Sequence, residues 1–191
     1  MKRDDHLALS ARLLSLNPQA WSDRRLRAAV YAGSVLPDSN PITYLRGALR
    51  AGKPAGHDRG SSYALILRLF AGLKRTGVTD VRQAYRLGAL MHYLADAMTY
   101  PHTPGFHGGV SAHNRYERAL HRVFWRALAG AGRCLPPPDP FRFLSRVLSA
   151  GAPVSHAPEE NAAEIVSVCT AIWLSVFQEN AGKSLFSNKK S

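Results

Sequence analysis

Between Leu87 and Glu117 the chain reads LGALMHYLADAMTYPHTPGFHGGVSAHNRYE, and the intervals between three of its histidines and two of its acids restrict what it can fold into. His92 and Asp96 are four apart, so on a helix they project from one face as neighbours, within reach of a single ion. Around them Leu87, Leu90, Met91, Leu94, Ala95, Ala97 and Met98 make that helix apolar nearly all round, which implies a place in a core. Asp96 is then a buried carboxylate. An unpaired buried charge is so costly that a metal or a cationic partner is the natural resolution. His113 and Glu117 repeat the i, i+4 geometry on the next predicted helix, and His102 follows Tyr100-Pro101 in the connection between the two.

The rest of the chain supports the same architecture. Helical spacing dominates and strand alternation is absent, so the predicted fold class is all-α, a single-domain helical bundle over residues 1–181 followed by a basic, disordered tail at 182–191. His6, Leu9, Leu13 and Leu16 lie on one stripe of a first helix that Asp4 or Asp5 can cap and Asn17-Pro18 stops. A second helix is expected over about 22–34, ending at Gly33 before the turn-rich Leu36-Pro37-Asp38-Ser39-Asn40-Pro41. From there to Gly60 the sequence reads as loop and carries Asp38 and His57. A third helix is expected over about 61–75, and Gly77 and Thr79-Asp80 separate it from the central one over about 81–98. Ser111 can cap the helix bearing His113 and Glu117. Pro136-Pro137-Pro138 leads into a short helix over about 140–149, and Pro158-Glu159-Glu160 opens the last long one.

Composition narrows the chemistry. With 191 residues, 46% of them hydrophobic, the chain can bury a core. Cys134 and Cys169 stand alone in different segments, which points away from a disulfide framework or a thiolate zinc site, so any metal is held by nitrogen and oxygen. The first residues make a poor secretory signal and the apolar run at 165–177 is too short to span a bilayer, so the expectation is a cytoplasmic protein with no transmembrane segment. The net charge of +12, bunched in Arg24-Arg25-Arg27 and Arg115-Arg118-Arg122-Arg126, suits an anionic partner. Phosphate-bearing substrate, anionic membrane and nucleic acid all answer to that description, and so do merely solvated helix faces.

Taken together, His6, the Gly33-Ser34-Val35-Leu36-Pro37-Asp38 turn, Gly56-His57, His92-Tyr93, Asp96, Pro101-His102 and His113-x3-Glu117 resemble the zinc-dependent phospholipase C family, and most closely its small intracellular bacterial members. The resemblance runs from His6 to Glu117. It implies a helical domain with two zinc ions in a cleft, one held by Asp38, His57, His92 and Asp96 and the other by His102, His113 and Glu117. A third zinc in the family is held by the first histidine, the amino-terminal residue's amine and carbonyl, and the bridging aspartate. His6 and Asp96 match that set, with Asp4, Asp5 or water as completing ligands here. Proline stands five residues after Asp96, where the secreted enzymes have it at four.

The implied activity is phosphoester hydrolysis of the phospholipase C kind, since paired zinc ions bring a water pKa toward ~7 and neutralise charge on a phosphoryl oxygen. Asp38 would then be a ligand and a catalytic general base. The same metal framework serves zinc nucleases and phosphatases. A different class of reading keeps the ligands but makes them structural, in a catalytically silent metal-stabilised module that binds anionic membrane or a protein partner. His57-Asp58 also spells the dipeptide of HD-domain phosphohydrolases, but that reading leaves His102, His113 and Glu117 unexplained and puts the pair in a glycine-rich loop. His107, His121 and His156 are expected at the surface or behind the ligands.

Overall fold

The computed structural model describes residues 1–39, 59–132, 134–149, 152 and 154–178, with the side chains of residues 38 and 39 excepted. Among these are seven α-helices, two 3-10 turns and no strand, as an all-α chain requires. Helix α1 (Arg3–Leu14) begins where the Asp5 carboxylate accepts the Lys2 backbone N–H at 3.3 Å, which satisfies one of the donors a helix start leaves open. A 3-10 turn (Pro18–Trp21) follows, with Asn17 accepting the Ala20 N–H.

Helix α2 (Arg24–Ser39) differs from the sequence expectation. It does not stop at Gly33 but runs on through Pro37, so Leu36-Pro37-Asp38 is helical rather than a turn. Gly33 has another use. An ideal Cβ placed on it would lie 2.1 Å from the Tyr85 carbonyl oxygen, and one on Gly88 would lie 2.1 Å from that of Val30. The two glycines let main chains touch where α2 crosses α4 (Val81–Met98), a packing reason that outweighs glycine's poor helix propensity.

Helix α3 (Arg59–Thr76) ends at Gly77, which takes a positive φ of 70° suited to glycine. Asp80 then caps α4 by accepting the Gln83 N–H at 2.7 Å, and a second 3-10 turn (Tyr100–His102) leads toward α5 (Val110–Gly130). Ser111 does not cap α5: Gly109 is the N-cap residue and makes no side-chain bond. Asp139 caps the short α6 (Pro140–Val147), and α7 (Pro158–Phe177) closes the described fold.

Helix α4 is the hub, packed against α1, α2, α3 and α7, and from Leu87 to Met98 every residue on it is buried. Each of Leu87, Leu90, Met91 and Leu94 contributes ~1.5–3 kcal/mol by leaving water. Helix α7 is long and apolar enough to cross a membrane by length and composition, but 67% of that window is buried within the protein. Ile165, Val166, Cys169, Ile172 and Trp173 face the core, so α7 is a central helix of the bundle. The tail at 182–191 and the segment 40–58, including His57, lie outside the described residues.

Candidate metal centre

The hub helix places His92 and Asp96 one turn apart on the side facing α1, and α1 brings His6 against them. The His6 and His92 rings stack at 4.3 Å, His6 Nε2 lies 3.3 Å from Asp96 Oδ1, and His92 Nε2 lies 3.5 Å from Asp96 Oδ2. All three side chains are at most 3% exposed. His92 Nδ1 is 2.9 Å from the Ser34 carbonyl oxygen. A carbonyl only accepts, so Nδ1 carries the proton and Nε2 keeps its lone pair pointed at the cluster.

A second cluster sits beside the first. His102, on the turn after α4, and His113 and Glu117, one turn apart on α5, bring His102 Nε2 to 3.6 Å and His113 Nε2 to 3.2 Å from Glu117 Oε1. This cluster is more open, with His113 32% exposed and Glu117 18%. Its surroundings are aromatic. Tyr100 meets Phe106 and Tyr116 edge-on, Phe106 approaches the His113 ring, and exposed His156 stacks on Tyr100 at 4.1 Å. In each cluster the three ligand atoms lie within 4.8 Å of one another.

One charge links the two. The Met1 amine donates to Asp96 Oδ1 at 2.8 Å and to Glu117 Oε1 at 3.0 Å. Burial alone would lower this amine's pKa, but the two carboxylates outweigh it and push it up from 8.0 to about 10. Burial would likewise raise the Asp96 carboxyl, yet the Met1 ammonium, His6 and His92 hold it well below the usual carboxylate range. Glu117 is depressed in the same way, with burial opposed by His102, His113 and the ammonium. Burial and the neighbouring His92 lower His6, which keeps its imidazole neutral with a lone pair to give.

The residues fit a divalent ion. Among the described residues the buried His6 Nδ1 has no hydrogen-bond partner and Nε2 has only the Asp96 carboxylate at 3.3 Å, an arrangement that is costly unless something else takes the lone pair. Imidazole nitrogens around a carboxylate form the nitrogen and oxygen donor set that zinc accepts.

His6 joins His92 and Asp96 directly, while His102, His113 and Glu117 come together as one set. Asp38 lies in the last turn of α2, and neither its side chain nor His57 is among the described parts of the chain. Asp5 lies in neither cluster: it is fully buried and sits 2.6 Å from His121 Nδ1. His107 is exposed.

Two supporting residues escaped the sequence reading. Asn161 donates to the Met98 carbonyl at 2.8 Å and accepts from the Tyr100 N–H and the Tyr116 hydroxyl, so α7 holds the turn that carries His102. Arg59, 1% exposed, donates to the carbonyls of Ala97, Ser149 and Ala152 and so holds the end of α4 from the other side. The signal for Asn161 was there to find, as a polar residue on the stripe Ile165, Val168 and Ile172. Arg59 follows a glycine-rich stretch and gave none.

An all-helical domain here gathers two clusters, each of two histidines and a carboxylate, and each could hold a metal ion. Residues 5–166 match the family described as zinc dependent phospholipase C, and the chain belongs to that family. No curated protein and no solved structure matches it.

Proposed function

We propose that the protein is a zinc-dependent hydrolase of phosphoesters, with phospholipase C-like cleavage of a phosphodiester as its reaction. The observation that carries this reading is the pair of adjoining clusters, one sealed and one open, in a chain of a zinc-dependent family. His6, His92 and Asp96 would hold one ion and His102, His113 and Glu117 another. Zinc there supplies Lewis acidity toward a phosphoryl oxygen and makes water a nucleophile near neutral pH.

The chain's own residues do the rest. The Ser34 carbonyl fixes the His92 tautomer, and the depressed carboxyls of Asp96 and Glu117 stay ionised as anionic ligands. Phe106 and Tyr100 flank the open cluster, where an apolar or ring-bearing leaving group can pack. The resemblance gives Asp38 the role of general base. Water adds its oxygen to phosphorus, the P–O bond to the alcohol breaks, and the alcohol leaves with a proton.

The test is metal content by plasma mass spectrometry on the wild type and a His92→Ala/His113→Ala double variant, each assayed for hydrolysis of bis(p-nitrophenyl) phosphate. Bound zinc in the wild type that disappears with activity in the variant is the expected result. Tightly held zinc without turnover would leave the metal-stabilised binding module standing in its place.

A further inference from the structure

The outward face of α5 is the largest feature that the metal centre does not use. Helical spacing puts Arg115, Arg118, Arg122, Trp125 and Arg126 within one arc, opposite the buried Leu120 and Phe124. All five are exposed, Trp125 at 58%. None of the four arginines makes an ion pair or a side-chain hydrogen bond among the described residues, and no acidic residue lies on the arc: Glu117 turns inward to the Met1 amine. Trp125 is an exposed large hydrophobic outside the core cluster, and four uncompensated cations side by side repel one another in water.

From this arrangement we infer that the exposed face of α5 docks on an anionic lipid surface, with Trp125 seated at headgroup depth and the arginines on lipid phosphates. An amphipathic helix face that combines arginines with a single indole is the pattern of interfacial binding. Single-stranded nucleic acid is served by successive aromatic platforms in a groove, whereas here one indole stands on a convex helix. The inference does not depend on the hydrolase reading, because His113 and Glu117 point away from this arc.

The experiment uses the full zinc-loaded chain, sedimented with vesicles of phosphatidylcholine alone or of equal parts phosphatidylcholine and phosphatidylglycerol. Of the chain's three tryptophans, Trp21 and Trp173 are buried, so a change of emission reports Trp125. The expected result is salt-sensitive binding to the anionic vesicles only, with a blue shift of emission that Trp125→Phe abolishes. An Arg118→Gln/Arg122→Gln/Arg126→Gln variant should bind on the order of 100-fold more weakly, at about fivefold per arginine. Its circular dichroism and zinc content should be unchanged. Equal binding to both vesicle types, an emission that does not move, or undiminished binding by the triple variant would overturn the assignment. A shift produced by a single-stranded oligonucleotide and not by vesicles would overturn it in favour of nucleic acid.

Discussion

The sealed and the open cluster have the same ligand types, two imidazoles and a carboxylate, and opposite surroundings. His6, His92 and Asp96 lie on two helices locked into the core, while His102, His113 and Glu117 lie on a turn and on the first turns of a helix that opens to solvent. Donor chemistry alone therefore does not set a site's role. The sealed cluster is positioned by the same contacts that hold the fold, and removing any part of it disturbs folding as well as chemistry. The open cluster is held by a few specific hydrogen bonds and is partly reached by solvent, so under the proposed function substrate is expected to meet the protein there.

That contrast can be broken most directly at the two acids. In metal-free protein, Asp96→Ala should cost ~3–5 kcal/mol, because it strands the buried Met1 ammonium without its closest countercharge. Glu117→Ala should cost only about 1–2 kcal/mol, since its surroundings are partly solvated. Denaturant unfolding in a chelator reads both, and equal losses would mean that the clusters are not energetically distinct.

A smaller effect separates the supports. Asn161→Leu leaves the Met98 carbonyl and the Tyr100 N–H unpaired and should destabilise by about 3 kcal/mol. It should also release zinc from the open cluster while the sealed one keeps its own. Parallel loss from both clusters would show that the His102 turn is not held independently.

A further effect lies in the charge that joins them. The Met1 amine has its folded pKa raised from 8.0 to about 10, so its contribution is complete below pH 8 and is lost as pH rises through 10. Metal-free protein should accordingly lose roughly 2 kcal/mol between those two values. Acetylation of the amine should flatten the profile over that interval, and an unchanged slope in the acetylated protein would remove the amine from the account.

How much of this was legible beforehand varied with the physics involved. The hub helix was read at its true bounds because Asp80 announces its start and an unbroken apolar stretch fixes its burial. The i, i+4 ligand pairs were legible for the same reason, since spacing on one helix translates directly into shared direction. Helix α2 was cut short because Gly33 and Pro37 weigh against a helix locally, and the tertiary contact with Gly88 that accounts for Gly33 leaves no mark in the local pattern. The grouping of His6 with His92 and the hydrogen bonds of Arg59 depend on how distant helices meet, which spacing along one chain does not encode. The Ser34 carbonyl was invisible for a simpler reason: any residue there would offer the same atom.

The crossing of Gly33 and Gly88 bears on how the protein can change over generations. Where side chains separate two helices, growth of one residue can be matched by shrinkage of another, and the interface drifts while the fold persists. Where main chains touch, there is nothing to trade. Alanine, serine or valine at either glycine would have to push α2 off α4, and the carbonyl that holds His92 in its metal-facing tautomer sits one residue from that contact. A descendant with a larger residue at either position has therefore altered the support of its sealed cluster as well, so these two glycines mark which distant relatives can have kept the same metal site.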